Sequence, residues 1–136
     1  MAVTLKLEIV TTEAKVFSDE VEIVSLSGVD GDMGIYPDHM PLMTQLAAGE
    51  VLARKNGADI ALAVGDGFVQ VTKDRVAILT DMAIKAEDID EQKAEEARKR
   101  AEARLQQKLS DEEAATVQAS LVHALAQIKV KQRHKK

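Results

Sequence analysis

The sequence predicts a β + α fold: an N-terminal small antiparallel β-sandwich followed by a C-terminal α-helical hairpin. Three observations predict it. Short segments with period-two alternation follow one another from residue 3 to residue 80, with no helical stretch between them; many short strands at such spacing mark a sandwich or barrel. From Asp88 to the end there is neither Gly nor Pro, and apolar residues recur at intervals of three and four, the helical period. A second helix start, Ser110-Asp111-Glu112-Glu113, divides that run in two. The expected division is residues 1–86 for the sandwich and 87–136 for a two-helix regulatory hairpin.

The elements follow in order. In residues 3 to 10, Val3, Leu5, Leu7 and Ile9 alternate with Thr4, Lys6 and Glu8, a half-buried strand. Residues 20 to 26 are expected to form one strand, with Val21, Ile23 and Ser25 on one side and Glu22, Val24 and Leu26 on the other. Residues 28 to 42 (GVDGDMGIYPDHMPL) hold three glycines and both prolines of the chain, so a rigid, multiply bent loop is expected, with a polar tip in solvent. Leu42 to Leu46 and Val51 to Arg54 read as short strands around Gly49, and Lys55-Asn56-Gly57 as a hairpin turn. Ile60 to Val64, Phe68 to Val71 and Arg75 to Thr80 complete the strands.

Asp88, with Glu91 three residues on, is expected to cap a first helix over about 88–108, lined by Ala94, Ala97, Ala101 and Leu105. The second helix, about 111–131, carries a stripe of Ala114, Val117, Leu121, Ala124, Leu125 and Ile128. Full burial of Val117, Leu121, Leu125 and Ile128 contributes only ~1.5–3 kcal/mol each. Ordering the backbone costs ~1–2 kcal/mol per residue. The hairpin is therefore expected to depend on docking, and to be suited to moving between two packings.

Composition narrows the function. With 46% hydrophobic but only 2% aromatic residues, the core must be built from Val, Ile, Leu, Met and Ala. The absence of Cys excludes disulfides and thiolate metal sites. No apolar run reaches the ~18 residues of a membrane helix, so no direct membrane insertion is expected. The N-terminus alternates at once and is not read as a signal peptide. The net charge of −5 is uneven: residues 1–84 hold 6 basic and 13 acidic side chains (−7), residues 85–136 hold 12 and 10 (+2). An acidic sandwich is a poor nucleic-acid binder. The basic excess gathers at the end, in Lys129, Lys131, Arg133, Lys135 and Lys136.

Several of these residues carry a resemblance. Gly34, Ile35, Pro37, His39, Pro41 and Leu42 resemble the G-I-x-P-x-H-x-P-L signature of the epsilon subunit of rotary ATP synthases, called delta in mitochondria. The likeness continues through Gly49-Glu50-Val51, Gly65 to Val71 and Val76 to Leu79 into the charged helical tail. It implies a non-catalytic central-stalk subunit of a proton-translocating enzyme, peripheral on the cytoplasmic face of the bacterial plasma membrane. The implied partners are the gamma subunit and the c-subunit ring, with Asp32 and His39 at the positions that touch the ring. The tail is implied to inhibit ATP hydrolysis when extended, its Lys129, Lys131 and Arg133 meeting acidic segments of the alpha and beta catalytic subunits. Ile89, Asp90, Lys93 and Ala94 resemble the family's nucleotide motif I/L-D-x-x-R-A, with Lys93 standing where arginine is expected. That lysine lacks the forked donor set, so regulatory ATP is an expectation and no cofactor is required.

Other readings of these residues are plainer. Asp30, Asp32, Asp38 and His39 do not follow the spacing of a calcium loop, because Gly34 stands where an oxygen ligand is needed. Gly65-Asp66-Gly67 lacks the Lys-Ser/Thr and helix of a phosphate loop and reads as a turn. No nucleophile-base set or cofactor fingerprint is present, so a catalytic role is not expected. The competing function is a free-standing β-sandwich adaptor that binds a peptide or nucleotide and signals through its helical tail.

Overall fold

In a computed structural model, which describes residues 3–134, nine strands lead into two helices. The strands are β1 (Leu5–Val10), β2 (Lys15–Val21), β3 (Ile23–Gly28), β4 (Gly31–Ile35), β5 (Leu42–Lys55), β6 (Ala58–Val64), β7 (Gly67–Val71), β8 (Arg75–Thr80) and β9 (Ala83–Lys85). A 3-10 turn (Ala86–Asp88) leads to α1 (Glu91–Leu105) and α2 (Asp111–Arg133). The strands are hydrogen-bonded in the order β2-β1-β8-β7-β5-β3-β4, with β6 on β5 and β9 on β6.

The long strand β5 belongs to both layers. Its first half, Leu42 to Leu46, pairs with β7, and its second half, Gly49 to Lys55, pairs with β6. It replaces the two short strands expected around Gly49. The inner faces meet in one core, with Leu5, Leu7, Ile9, Val69, Val76 and Ile78 from one layer and Val24, Leu26, Ile35, Val51, Leu62 and Val64 from the other. Asn56 (φ 52°) and Gly57 (φ 79°) take the two positive-φ positions of the β5–β6 hairpin, as the Asn-Gly pair predicts.

Four details differ from the sequence reading. Residues 20 to 26 are two strands, because the chain breaks at Glu22 and reverses its facing: Val21 and Val24 are both buried. The glycine-rich stretch is not all loop, since β4 pairs with β3 from Gly28↔Gly31 to Val24↔Ile35 and buries Ile35. The sheet is not wholly antiparallel, because β1 runs parallel to β8. Finally, Asp88 closes the 3-10 turn, and Asp90 caps α1 by accepting from the Lys93 backbone N–H at 3.1 Å.

Glu8 has alternated onto the outer face yet is buried. Lys15 Nζ lies 3.1 Å from its Oε2, and Arg75 holds the other oxygen. The Lys15 hydrogen bond, helped by the Arg75 charge, depresses its carboxyl below the ordinary 4.5. That stabilisation is complete above the ordinary value and is lost as the pH falls through the lower native one. Glu8→Gln is therefore expected to destabilise the sandwich at neutral pH and to flatten its acid sensitivity. Urea unfolding at about pH 7 and about pH 3 checks this; equal losses at both pH values would count against it.

Ser110 starts α2 with the expected capping box: its side chain accepts from the Glu113 N–H, and Glu113 accepts from the Ser110 N–H. The helix is apolar on two sides. Ala124 and Ile128 are buried, as are Ala94 and Ala101 of the neighbouring α1. Ala126 and Val130, outside the expected stripe, are buried as well, and Val130 joins Ala61, Ala63 and Ile89 in a second small cluster against the sandwich. Leu125, expected in the stripe, is 46% exposed. The hairpin thus docks on β5, β6 and the 3-10 turn through α2.

Candidate functional site

Three features of the surface offer chemistry: the tip around β4, the outer face of β5-β7-β8, and the seat of the hairpin. The tip turns at Gly28 to Gly31. Gly31 has φ +129°, and a Cβ on Gly28 would meet the Gly31 carbonyl oxygen at 3.1 Å, so the tight turn needs both glycines. Asp32 follows, exposed, its Oδ1 accepting from Ser27 Oγ at 3.2 Å. His39 lies four residues beyond the other end of β4. The preceding Asp38 (φ 64°) donates its N–H to the Lys73 carbonyl in the β7–β8 turn. His39 is half-buried, and its Nδ1 donates to the Met40 carbonyl at 2.7 Å. Only Asp32 is therefore the solvent tip expected of both residues; they stand at opposite ends of β4, each held by its own neighbour.

The outer face carries what the sequence reading passed over. Met43, Phe68 and Leu79 are 67%, 55% and 57% exposed. Phe68 pairs with Leu79 across β7–β8, and Leu79 with half-buried Val10 across β8–β1. The signal was present in the alternation Phe68-Val69-Gln70-Val71, whose buried valines put Phe68 outside with Gln70.

The hairpin seat gathers the remaining candidates. Ile89 and Ala94 are buried, Asp90 is occupied as a cap, and Lys93 is exposed. The basic end of α2 is turned onto its own chain. Lys131 Nζ donates to the Ala86 carbonyl at 3.2 Å, and Arg133 Nη1 lies 3.4 Å from Glu50 Oε1. His134 Nε2 stands 2.6 Å from Glu50 Oε2. Lys129 is exposed in a cleft of about 350 Å³ that it shares with Asp32, Glu50 and Arg133. Asp32, Lys129 and Arg133, far apart in sequence, thus line one cleft, whereas Lys131 lines another. Lys135 and Lys136 lie outside the described residues. Eleven positions before His134, His123 Nε2 lies 3.1 Å from Asp81 Oδ1. His123 reads from sequence as a boundary residue of the second helix; its pairing with Asp81, and those of Glu50, were not foreseen, because they join residues 42 or more positions apart.

Comparison with known proteins agrees with this architecture. The family model for the ATP synthase delta/epsilon chain β-sandwich domain matches residues 4–86, and that for its long α-helix domain matches residues 87–132. The ATP synthase epsilon chain of Dehalococcoides mccartyi is 46% identical over 133 residues, covering 97% of this chain and 95% of that one. That of Herpetosiphon aurantiacus is 42% identical over 126 residues, 93% of each. Among solved structures, a chain of the Euglena gracilis mitochondrial ATP synthase (OSCP/F1/c-ring) superposes with TM-score 0.74 at 21% identity, over 91% of this chain and 79% of that one. A chain of the Tetrahymena thermophila mitochondrial ATP synthase central stalk and c-ring gives 0.56 at 10%, over 93% and 96%. These two likenesses are of fold. The sequence matches span both the sandwich and the hairpin, and the chain belongs to the delta/epsilon chain family of ATP synthase.

Proposed function

We propose that this chain is a rotor subunit of the central stalk of a proton-translocating ATP synthase, joining the gamma subunit to the c ring and restraining ATP hydrolysis through its hairpin. The observation that carries the reading is the patch of exposed Leu79, Phe68 and Met43, bordered by half-buried Val10, on a sheet face whose inner side is a complete core. Phe68 faces Leu79, and Met43 lies diagonal to Phe68, opposite Gln70; such an apolar patch suits a protein partner, and gamma is the partner proposed. Asp32 at the tip is a carboxylate suited to polar loops of the ring, with His39 bordering it from the far end of β4. The role is mechanical, without bond making, and places the chain peripherally on the cytoplasmic membrane face; no helix among the described residues is long and apolar enough to cross a membrane.

In the docked form the hairpin is permissive. In the extended form Lys129, Lys131 and Arg133 exchange their sandwich partners for acidic surfaces of the alpha and beta subunits. Regulatory ATP at Ile89, Asp90, Lys93 and Ala94 rests on the motif alone, since Asp90 and the two apolar residues already have structural duties in the docked form; calorimetry of the chain with ATP tests it. The central test is co-elution with gamma. Phe68→Asp with Leu79→Asp is expected to weaken that complex by at least about tenfold, the equivalent of ~1.4 kcal/mol, while the sheet signal in circular dichroism stays. Substituting Asp32 and His39 is expected to leave gamma binding intact and weaken attachment to c-ring vesicles. Failure of the unsubstituted chain to co-elute with gamma at micromolar concentration would sink the reading.

A further inference from the structure

We propose that Asn56, in the β5–β6 turn, is a site of spontaneous covalent modification, closing to a cyclic imide with loss of ammonia and opening to aspartate or isoaspartate, at a rate held down by Glu22. Asn56 is the only asparagine of the chain, and a glycine follows it. Glycine has no side chain to hinder approach to its nitrogen. Asn56 and Gly57 are both exposed, and no hydrogen bond holds the Asn56 amide among the described residues. A Cβ on Gly57 would meet nothing within 4 Å, so the turn stands clear of the rest of the molecule there. Two further dipeptides have the sequence to close the same ring. Asp66 is tied by the Ala48 N–H at 3.1 Å, and Gly67 lies hard against the Leu79 carbonyl. Asp30 precedes Gly31 in the open, but a carboxylate gives up its oxygen less readily than an amide gives up ammonia.

The reaction needs no co-reactant but water. The Gly57 nitrogen loses its proton and bonds to Asn56 Cγ. The Cγ–Nδ2 bond breaks, and that nitrogen leaves as ammonia, taking up the proton. Water then opens the ring. Cleavage at Cγ leaves aspartate; cleavage at the backbone carbonyl leaves isoaspartate, whose main chain runs through the side chain and is one methylene longer. A two-residue turn has no slack for that methylene, so the pairs nearest it, Lys55↔Ala58 and Arg54↔Asp59, must open. Either product adds a negative charge to a chain already at −5.

Glu22 restrains the first step. It sits where the chain breaks between β2 and β3, its own N–H donating to the Arg54 carbonyl at 2.7 Å. From there its Oε1 accepts the N–H of Gly57, the attacking nitrogen, at 3.3 Å. A carboxylate this close opposes the negative charge that the nitrogen gathers as its proton leaves. The bond also holds the turn, at φ 52° for Asn56 and φ 79° for Gly57, against the backbone rotation that ring closure requires.

The full chain and its Glu22→Ala and Glu22→Gln variants are incubated at neutral pH, folded and in guanidinium chloride. Peptide mapping by mass spectrometry follows amide-to-acid conversion at Asn56, and an isoaspartyl methyltransferase assay reports the longer-chain product. In the folded parent the rate is expected to be about tenfold below that of the unfolded chain. Glu22→Ala is expected to convert about fivefold faster than the parent when folded, and Glu22→Gln, which keeps an acceptor without the charge, to fall between them. All three should agree when unfolded. A folded parent more than about a hundredfold slower than the unfolded chain would react only by unfolding, and the native site would be refuted. Equal folded rates for the parent and Glu22→Ala overturn the restraint. So does acceleration that tracks a lowered melting temperature in circular dichroism instead of the loss of the carboxylate.

Discussion

Gly67→Ala is expected to destabilise the sandwich more than any other single methyl added at a glycine. Gly67 opens β7 opposite Thr80. A Cβ at this position would stand 1.9 Å from the Leu79 carbonyl oxygen and 2.8 Å from its carbon. These are ladder atoms and cannot swing aside as a side chain does, so the β7–β8 pairing must open. Overpacking costs ~1–3 kcal/mol, a large part of a ~5–15 kcal/mol total, and should lower the melting temperature by about 10 °C. Gly65→Ala is the contrast: its clash is with the side chains of Asp81 and His123, so the sheet should melt almost normally while the hairpin loosens. Thermal unfolding followed by circular dichroism compares the two. Equal melting temperatures for Gly67→Ala and the parent would refute the crowding argument.

The second large effect is a pair of opposite signs in ATP hydrolysis. Deleting residues 88–136 should leave a folded sandwich, because the main core draws only on strands that precede Asp88. On the proposed restraint of hydrolysis by the hairpin, the reconstituted complex should then hydrolyse ATP about fivefold faster, the rate equivalent of ~1 kcal/mol. Neutralising Lys129, Lys131 and Arg133 should give part of that gain. Val130→Asp should act the other way. It sets an unpaired carboxylate among Ala61, Ala63 and Ile89, where a buried charge without a partner costs about 3–5 kcal/mol. The hairpin then leaves its seat for the extended form, and hydrolysis should fall. Steady-state rates with assembly verified decide the matter. Equal rates for the parent and the deleted chain would make the hairpin a reinforcement of the stalk and no brake.

Local chemistry was legible in the sequence wherever one short signal sufficed. Asn56-Gly57 specified its turn, Ser110 and Glu113 their capping box, and the alternation of residues 75 to 80 its strand. Competing local signals were harder. Asp88 and Asp90 both precede a helical run by suitable spacing, and the 3-10 turn decides between them. Val21 and Val24 share a core only because the chain turns at Glu22, which no periodicity announces. The two-sided burial of α2 was hidden because its second face is Ala126 and Val130, too slight to form a stripe. The partners of Glu50 and Asp81 were beyond reach, since a carboxylate gives no sign of which distant cation folds over it.

The parallel pairing of the first and eighth strands sets the order in which the molecule is completed. Lys6 aligns with Arg75, 69 positions later. During synthesis β1 and β2 have each other as soon as both emerge, yet the layer cannot close until β8, ending at Thr80, has been made. Non-local pairing of this kind is slow to form. The helices, by contrast, pair with near neighbours in sequence and finish quickly. The hairpin is thus made after the sandwich and is among the fastest elements to form, and it arrives at a platform that has just closed.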